Sequence, residues 1–332
     1  GGAGLHVVSY GLIGQELGRG AAGLRSFASV QSSLGMYPIY AYGSEEQKQR
    51  WIPKLASGEW IGAWGLTEHN TGSDAGGMST TAIKDGDYWI LNGAKNFITH
   101  GISGDVAVVI VRTGEKGDSH GMTSFVIEKG TPGFSVSQKI HKMGNRGSST
   151  GELIFNDCRI PAKNVLGKVN EGIKVMMNGL DVERVAVAGI ALGLAETALE
   201  LGLKYAKTRK QFDHPISSFQ LIKAKLANMY TEIEAARGLI YKAAVLADKS
   251  TRGGKGTEIH KLAAAAVLFT AEAASRAVNE SLQIHGGYGY TLEYPINRFY
   301  RDAKLYEIGA GTSEIRRLLI ANELIKKGAG YN

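Results

Sequence analysis

Apolar residues recur along this chain with two different periods, and the switches between them divide it into three. Up to about Gly62 the spacing is helical, with amphipathic stretches from Val8 to Leu17 and from Ala22 to Leu34. Ser44 then caps a helix that opens with Glu45-Glu46-Gln47, placing acids where the helix dipole favours them. The stretch Pro53 to Gly58 reads as the turn that follows it. From about Trp64 to Gly167 the pattern alternates instead. Tyr88-Trp89-Ile90-Leu91, Asp105 to Val111, Thr123 to Ile127 and Glu152-Leu153-Ile154-Phe155 are β-rich runs bounded by Gly, Asn and Asp. They predict a small antiparallel barrel or sandwich. After Lys168 helical spacing returns, in Ala- and Leu-rich stretches at Leu180 to Ala206, Phe219 to Lys249, Thr257 to Ile284 and Thr312 to Lys326. Few enzyme architectures insert a β-domain between two helical parts, so this order is itself informative.

Composition narrows the class. With 332 residues, 45 glycines, 6 prolines, 43% hydrophobic and 21% charged residues, the chain is neither disordered nor fibrous. Cys158 is the only cysteine, which excludes a disulfide framework and fits a reducing compartment. The formal charge of +7 comes from 38 basic residues interleaved with 31 acidic ones, so no nucleic-acid partner is expected. Clusters such as Arg316-Arg317 and Lys326-Lys327 read as solvated helix faces, though a basic face could also receive a phosphate-bearing small molecule. The longest uncharged apolar run, Val185 to Ala195, stops at Glu196, short of the roughly 18 residues of a membrane span. The opening Gly1-Gly2-Ala3-Gly4-Leu5 resembles neither a secretory signal nor an Arg-rich transit peptide. It lacks an initiator Met, so the natural N-terminus is expected to lie upstream.

Several segments could carry chemistry. Trp64-Gly65-Leu66-Thr67-Glu68-His69-Asn70-Thr71-Gly72-Ser73-Asp74 has the small residues and hydroxyls that bring backbone N–H groups against a flat polar ligand or a phosphate; an ordinary loop is the alternative. Phe97-Ile98-Thr99 offers an aromatic face and a hydroxyl, or else a strand with a packed Phe and an exposed Thr. Arg209-Lys210-Gln211-Phe212 ends a long helix, where the dipole alone favours cations. Gln283-Ile284-His285-Gly286-Gly287 follows a helix and lacks the spacing of a dinucleotide fingerprint. No Cys/His spacing suggests a metal, and no G-x-S-x-G elbow suggests a serine hydrolase. Glu183 sits in Leu180-Asp181-Val182-Glu183-Arg184-Val185, where apolar flanks would disfavour its charge and raise its pKa toward that of a general base; a Glu183-Arg184 surface pair is the other reading.

Taken in order, these segments and Gly311-Thr312-Ser313-Glu314 resemble the acyl-CoA dehydrogenase family of flavoenzymes, over nearly the entire chain. The resemblance implies an α+β fold: an N-terminal helical domain (1–62, expected to be incomplete because family members carry further helix ahead of it), a middle antiparallel β-domain (63–167) and a C-terminal four-helix bundle (168–332). It also implies FAD, an acyl-CoA substrate, electron transfer flavoprotein as oxidant and a homotetramer built as a dimer of dimers. Its members act in the cytoplasm of bacteria or the mitochondrial matrix of eukaryotes.

Residue by residue, the resemblance implies that Thr67 and Thr99 contact the flavin and that Phe97 lies near its ring, with Trp64, Leu66, Gly72, Ser73 and Ile98 also lining the cofactor. Arg209, Gln211, Phe212, Gln220, Gln283, Ile284, Gly286 and Gly287 would bind the FAD of a neighbouring subunit, and Thr312 and Glu314 its pyrophosphate and adenosine end. Ser73, Asp181, Arg184 and Gly311 match substrate or CoA contacts. Many relatives place the catalytic base where this chain has Ala310; the branch resembling isovaleryl-CoA dehydrogenase supplies it from a Leu-Asp-x-Glu-Arg segment, matched by Leu180 to Arg184. Glu183 is therefore the expected base, with the Ala310 backbone N–H donating to the thioester oxygen. His69 stands where proline is usual, Phe97 where tryptophan is frequent, and Asp213 where glycine often follows Phe212. The segment Gly23 to Gly43 looks more like the glutaryl-CoA branch, in which the arginine matching Arg25 holds a distal carboxylate; a helix arginine facing solvent or another subunit is the other reading of Arg25. A short or branched acyl-CoA is the expected substrate, and a dicarboxylic one the alternative. A flavin-dependent monooxygenase of the same fold, or a non-catalytic flavoprotein, would need no α-proton base.

Overall fold

The computed structural model describes residues 4–115, 118, 120–249 and 257–329. By its contacts the chain forms two compact units. One holds Ser26–Lys142 and Ser148–Glu183; the other holds Leu5–Arg25, Met143–Gly147 and the chain from Arg184 onward.

In the first unit, the end of α2 (Ala22–Ser29) passes into a π-helical segment, Val30–Met36, and then α3 (Tyr37–Tyr42) and α4 (Glu45–Ser57). The Ser44 side chain accepts the Gln47 N–H and Gln47 returns the bond, a complete capping box. The expected turn at Pro53 is instead helix. α4 runs on through Pro53 to a left-handed Gly58, because Trp51 and Leu55 bury one face and Gly58 supplies the positive φ that ends it.

Strands β1 (Gly62–Gly65), β2 (Thr81–Asp85), β3 (Tyr88–Thr99), β4 (Val106–Arg112), β5 (Met122–Glu128), β6 (Phe134–Val136), β7 (Thr150–Pro161) and β8 (Val165–Leu166) form one sheet in the order β6-β7-β3-β2-β4-β5-β8. β1 joins β4. The sequence predicts an antiparallel sheet, but β1 and β2 both run parallel to β4. β4 does not keep the alternating pattern of the region, since all seven of its residues are buried. Val106, Val108 and Ile110 face a core shared with Trp51, Leu55 and Met176, while Ala107, Val109 and Val111 face Leu91, Leu153 and Phe155. Covering on both faces turns an alternating strand into a continuous apolar run. Cys158 lies in the second of these cores, where burial pushes its thiol up to about 12.

The second unit is helical: α1 (Val7–Gly20), α5 from Arg184 to the end of its Gly172–Thr208 span, α6 (Gln220–Lys249), α7 (Glu258–His285), α8 (Ile296–Ala303) and α9 (Ser313–Lys327). One core joins Val185, Ile190 and Leu194 to Ile233, Ile240, Val267 and Val278. α1 approaches α5 at backbone distance. A Cβ on Gly18 would stand 2.7 Å from the Ile190 carbonyl oxygen, and one on Gly189 2.8 Å from that of Gly11. Lys210–Gln211 (β9) and His214–Pro215 (β10) make a two-residue hairpin in which Phe212 and Asp213 both have positive φ, the type I′ geometry that asparagine, aspartate or glycine accommodates best. Among the described residues one helix, α5, is long and apolar enough to cross a membrane by length and composition, but 78% of that apolar window is buried inside the structure.

Candidate active site

The first unit brings several of the expected residues to the end of β1 and the middle of β3. Trp64 is buried in the helix-facing core, with Leu66 packed on it. Beyond Leu66 the chain turns tightly, Glu68 and Thr71 exchanging backbone bonds of 2.9 and 3.3 Å with His69 and Asn70 between them. Thr67 is half-buried and its carbonyl accepts the Asn96 N–H at 2.7 Å. Gly72 and Ser73 lie exposed just beyond.

An ion pair that sequence reading left without a role anchors this turn. Lys95 Nζ donates to Glu68 Oε1 at 2.7 Å and to the Leu66 carbonyl at 3.2 Å, and both side chains are buried. Glu68 also accepts the Ser79 N–H (2.6 Å), the Ser79 hydroxyl (2.7 Å) and the Thr80 N–H (3.1 Å). Burial alone would push Glu68 up, but Lys95 and the Ser79 donors outweigh it and hold the carboxyl at about 2. Burial pulls Lys95 down to about 8, with Glu68 opposing. The readable signal was a lysine at an inward strand position with a glutamate nearby in the preceding loop.

Phe97 is not the packed strand residue that the alternating pattern allowed. The β3–β7 register shifts between Lys95, opposite Leu153, and Ile98, opposite Gly151. Lys95, Asn96 and Ile98 therefore all point inward, and Phe97 takes φ +58° with 64% of its surface exposed. The Asn96 side-chain oxygen accepts the Phe97 N–H at 2.8 Å. Ile98 joins the β-core, and Thr99 is half-buried at the strand end.

Also in the first unit, Asp181 and Glu183 are both buried, and Glu183 is only 5% exposed. A surface pair with Arg184 is thereby excluded, since Arg184 is 3% exposed. The Glu183 oxygens accept the hydroxyls of Ser29, at 3.2 Å, and Ser33. These serines stand one turn apart where α2 passes into the π-helical segment, a rare geometry that recurs at functional sites. Sequence reading missed them, although their i, i+4 spacing puts two hydroxyls on one helix face.

The second unit carries two further groups. A concavity of about 510 Å³ is lined by Arg209, Gln211, Ile284, Gly286 and Gly287, together with Tyr205, His285 and Tyr288, which sequence reading did not assign. The His285 ring stacks on Tyr205 at 4.3 Å, and burial holds its imidazole below the usual histidine range. The Arg209 guanidinium lies 5.6 Å from the Tyr288 ring centre. Phe212, Gln220 and Gln283 are exposed and do not line this concavity.

The other group is the turn before α9, where Ala310 has φ +57° and Gly311 φ +98°. Arg184 Nε donates to the Ala310 carbonyl at 3.3 Å. Arg316, fully buried, donates to the carbonyls of Tyr306 (2.8 Å) and Gly309 (2.6 Å). Burial, with Arg184 nearby, lowers the Arg316 guanidinium to about 10, so it stays charged at neutral pH. Thr312 caps α9, its hydroxyl accepting the Ile315 N–H at 3.3 Å, and Glu314 is exposed in the first turn. Arg25 lies in α2, but its side chain is outside the described residues. Among the described residues no group of His, Cys, Asp and Glu is arranged to hold a metal.

The site sits on a recognisable scaffold. Residues 1–59, 63–158 and 170–325 match the N-terminal, middle and C-terminal domains of acyl-CoA dehydrogenase. An acyl-CoA dehydrogenase of Bacillus subtilis (strain 168) is 46% identical over 325 residues, covering 98% of this chain and 84% of that one. The mitochondrial isovaleryl-CoA dehydrogenase of Pongo abelii is 43% identical, covering 96% of this chain and 75% of that one. Among solved structures, the butyryl-CoA dehydrogenase of Megasphaera elsdenii superposes with TM-score 0.93 at 42% identity, covering 97% of this chain and 83% of that one. A chain from a study of the electron transferring flavoprotein of Acidaminococcus fermentans gives 0.94 at 43%, with 98% and 84% covered. A glutaryl-CoA dehydrogenase of Mycobacterium smegmatis in complex with FADH2 gives 0.91 at 39%, with 99% and 82% covered.

The chain belongs to the acyl-CoA dehydrogenase family, with that family's N-terminal helical, middle β and C-terminal helical domains. It is an oxidoreductase acting on CH–CH bonds, in a family that depends on FAD and is typically tetrameric.

Proposed function

We propose that the protein dehydrogenates a short or branched acyl-CoA to the 2-enoyl-CoA, with Glu183 taking the α-proton. The observation that carries this reading is the Glu183 carboxylate, buried and held by two serine hydroxyls, in a chain whose position 310 is alanine. A carbon acid beside a thioester is weak. Removing its proton needs a placed carboxylate and a donor where enolate charge develops. The Ala310 N–H is the second element. Arg316 holds the carbonyl of the same Gly309–Ala310 peptide, and a hydrogen bond to that oxygen polarises the N–H into a better donor.

The residues present fit a flavin. An exposed Phe97 ring and the Thr67 and Thr99 hydroxyls are groups suited to the ring system of one flavin, and the open backbone of Gly286 and Gly287 beside Arg209 and Gln211 is suited to the pyrophosphate of the FAD of a neighbouring subunit. When bound, FAD supplies the two-electron acceptor at N5 for the β-hydride that leaves as the Cα–Cβ double bond forms. Ser73, Asp181, Arg184 and Gly311 would contact the substrate, and Thr312 and Glu314 the far end of the cofactor. The same reading takes residues 1–62, 63–167 and 168–332 as the three domains. It includes electron transfer flavoprotein as oxidant, in the bacterial cytoplasm or the mitochondrial matrix, and a homotetramer, consistent with the exposed Phe212, Tyr290 and Leu292 of the helical unit.

An anaerobic titration with isovaleryl-CoA, butyryl-CoA and glutaryl-CoA tests this. One of the first two should bleach the flavin, and Glu183→Gln should retain FAD while slowing bleaching about a thousand-fold. Bleaching by glutaryl-CoA alone would move the assignment to a dicarboxylic substrate read by Arg25. A yellow protein that none of them bleaches would move it to the oxygenase or the non-catalytic flavoprotein.

A further inference from the structure

The turn that carries Thr67 is joined to the Phe97 bulge by a line of side chains that the proposed chemistry does not use. His69 Nε2 lies 2.5 Å from Glu152 Oε1, and His69 Nδ1 lies 3.2 Å from Asn96 Nδ2. Asn96 is buried, and its side-chain oxygen already accepts the Phe97 N–H, so its amide nitrogen must be the end that donates toward His69. That fixes the imidazole as well. Nδ1 is the acceptor, and Nε2 carries the proton donated to Glu152. Glu152 is itself pinned in β7, its N–H donating to the Ser137 hydroxyl at 2.9 Å while its carbonyl accepts the Ser137 N–H at 3.0 Å. At the other end, the Asn96 N–H donates to the Thr67 carbonyl.

We propose that His69 is a positioning residue, which by holding the Asn96 side chain locks Phe97 in its left-handed conformation and so sets the ring and the Thr67 backbone that receive the flavin. A phenylalanine adopts positive φ only where its surroundings over-determine it. The Asn96 oxygen is the local acceptor that selects this conformation, but an asparagine side chain can rotate about its own bonds. His69 removes that freedom, because Asn96 can satisfy both its oxygen and its nitrogen in one rotamer only while the imidazole accepts. The further step from Phe97 to the flavin rests on the function proposed above; the step from His69 to Phe97 does not.

Hydrogen–deuterium exchange on the purified protein reads the first step directly. In His69→Ala the Phe97 amide should exchange about ten-fold faster than in wild type, whereas Glu152→Gln with His69 intact, which keeps an acceptor for Nε2, should leave its protection at the wild-type level. The visible circular dichroism of bound flavin should change in His69→Ala and stay near wild type in Glu152→Gln. Should His69→Ala fail to fold, Glu152→Ala, which removes only the outer acceptor, should show the same amide effect at about three-fold. Unchanged Phe97 exchange in the folded variant overturns the proposal. Faster exchange with an unchanged flavin spectrum keeps the His69–Asn96–Phe97 relay and overturns its link to the cofactor. A protein that takes up no flavin defeats the functional reading while the exchange result still decides the relay.

Discussion

Phe97 in the β unit and Ala310 in the helical unit have nearly the same backbone conformation, φ +58° and +57°, and reach it by opposite means. Around Phe97 the holding groups are a neutral amide on the N–H side and, one residue further back, a lysine paired with a carboxylate. Around Ala310 they are guanidiniums on carbonyls, Arg184 on that of Ala310 and Arg316 on that of Gly309. The first arrangement leaves an exposed ring and no net charge. The second gathers positive charge behind an N–H that is proposed to face a developing oxyanion. In the function proposed above, strain of one kind would serve two chemistries, shape in one unit and electrostatics in the other.

The largest way to break this contrast is to remove the cation from the β unit. Lys95→Met leaves Glu68 buried with its nearest positive charge gone, and the denaturation midpoint should report a loss of about 3–5 kcal/mol. Adding Glu68→Leu should recover most of it, because the penalty belongs to the stranded charge. A single variant as stable as wild type would mean that Glu68 stays solvated through some other route.

Acid probes the same carboxylate at a slightly smaller scale. Glu68 is held at about 2 against an ordinary value of 4.5, so the unfolded chain takes up its proton first as pH falls. The stabilisation is fully present above pH 4.5 and is lost on descending through about 2, a total of about 3 kcal/mol. Stability measured down that window should fall more steeply in wild type than in Glu68→Gln. Parallel curves would show that the pair contributes no differential proton binding.

In the helical unit the corresponding change is Arg316→Met, which strips a buried and a half-buried carbonyl of their donor and should cost about 2 kcal/mol. It also sharpens the functional half of the contrast. If Arg316 polarises the Gly309–Ala310 peptide, the variant should bleach about ten-fold more slowly with little change in thioester affinity. Equal loss of affinity and rate would assign Arg316 to packing alone.

How much of this was legible in the sequence follows the range over which each residue acts. The helix start at Ser44, the β runs and the long C-terminal helices are local patterns, and they read correctly. β4 misled because its burial depends on what covers the sheet, and Phe97 because one extra residue in a strand reverses which side chains face out. The Glu183 carboxylate was visible as an odd charge among apolar neighbours. Its serine donors lie some 150 residues earlier, where nothing local marks them as facing it. Arg316 was read as half of a basic surface cluster. Only the folded turn, with its carbonyls converging on one point, reveals it as buried.

The smallest expected effect is at Ala310 itself. Its methyl group sits in a left-handed conformation that costs a non-glycine residue about 1 kcal/mol, and Ala310→Gly removes that cost. Glycine also gains freedom in the unfolded chain, which takes back about 0.4–1 kcal/mol. The two nearly cancel, so the midpoint should move by less than about 1 kcal/mol in either direction. The N–H survives the change, and the Arg184 and Arg316 bonds to the flanking carbonyls should keep it in place, leaving the bleaching rate within about two-fold of wild type. A large fall in rate with unchanged stability would mean that the alanine methyl, and not the pair of guanidiniums, fixes the direction of the donor. The Ala310 turn would then resemble the Phe97 bulge, held by shape, and the division of labour between the two units would fail at its electrostatic end.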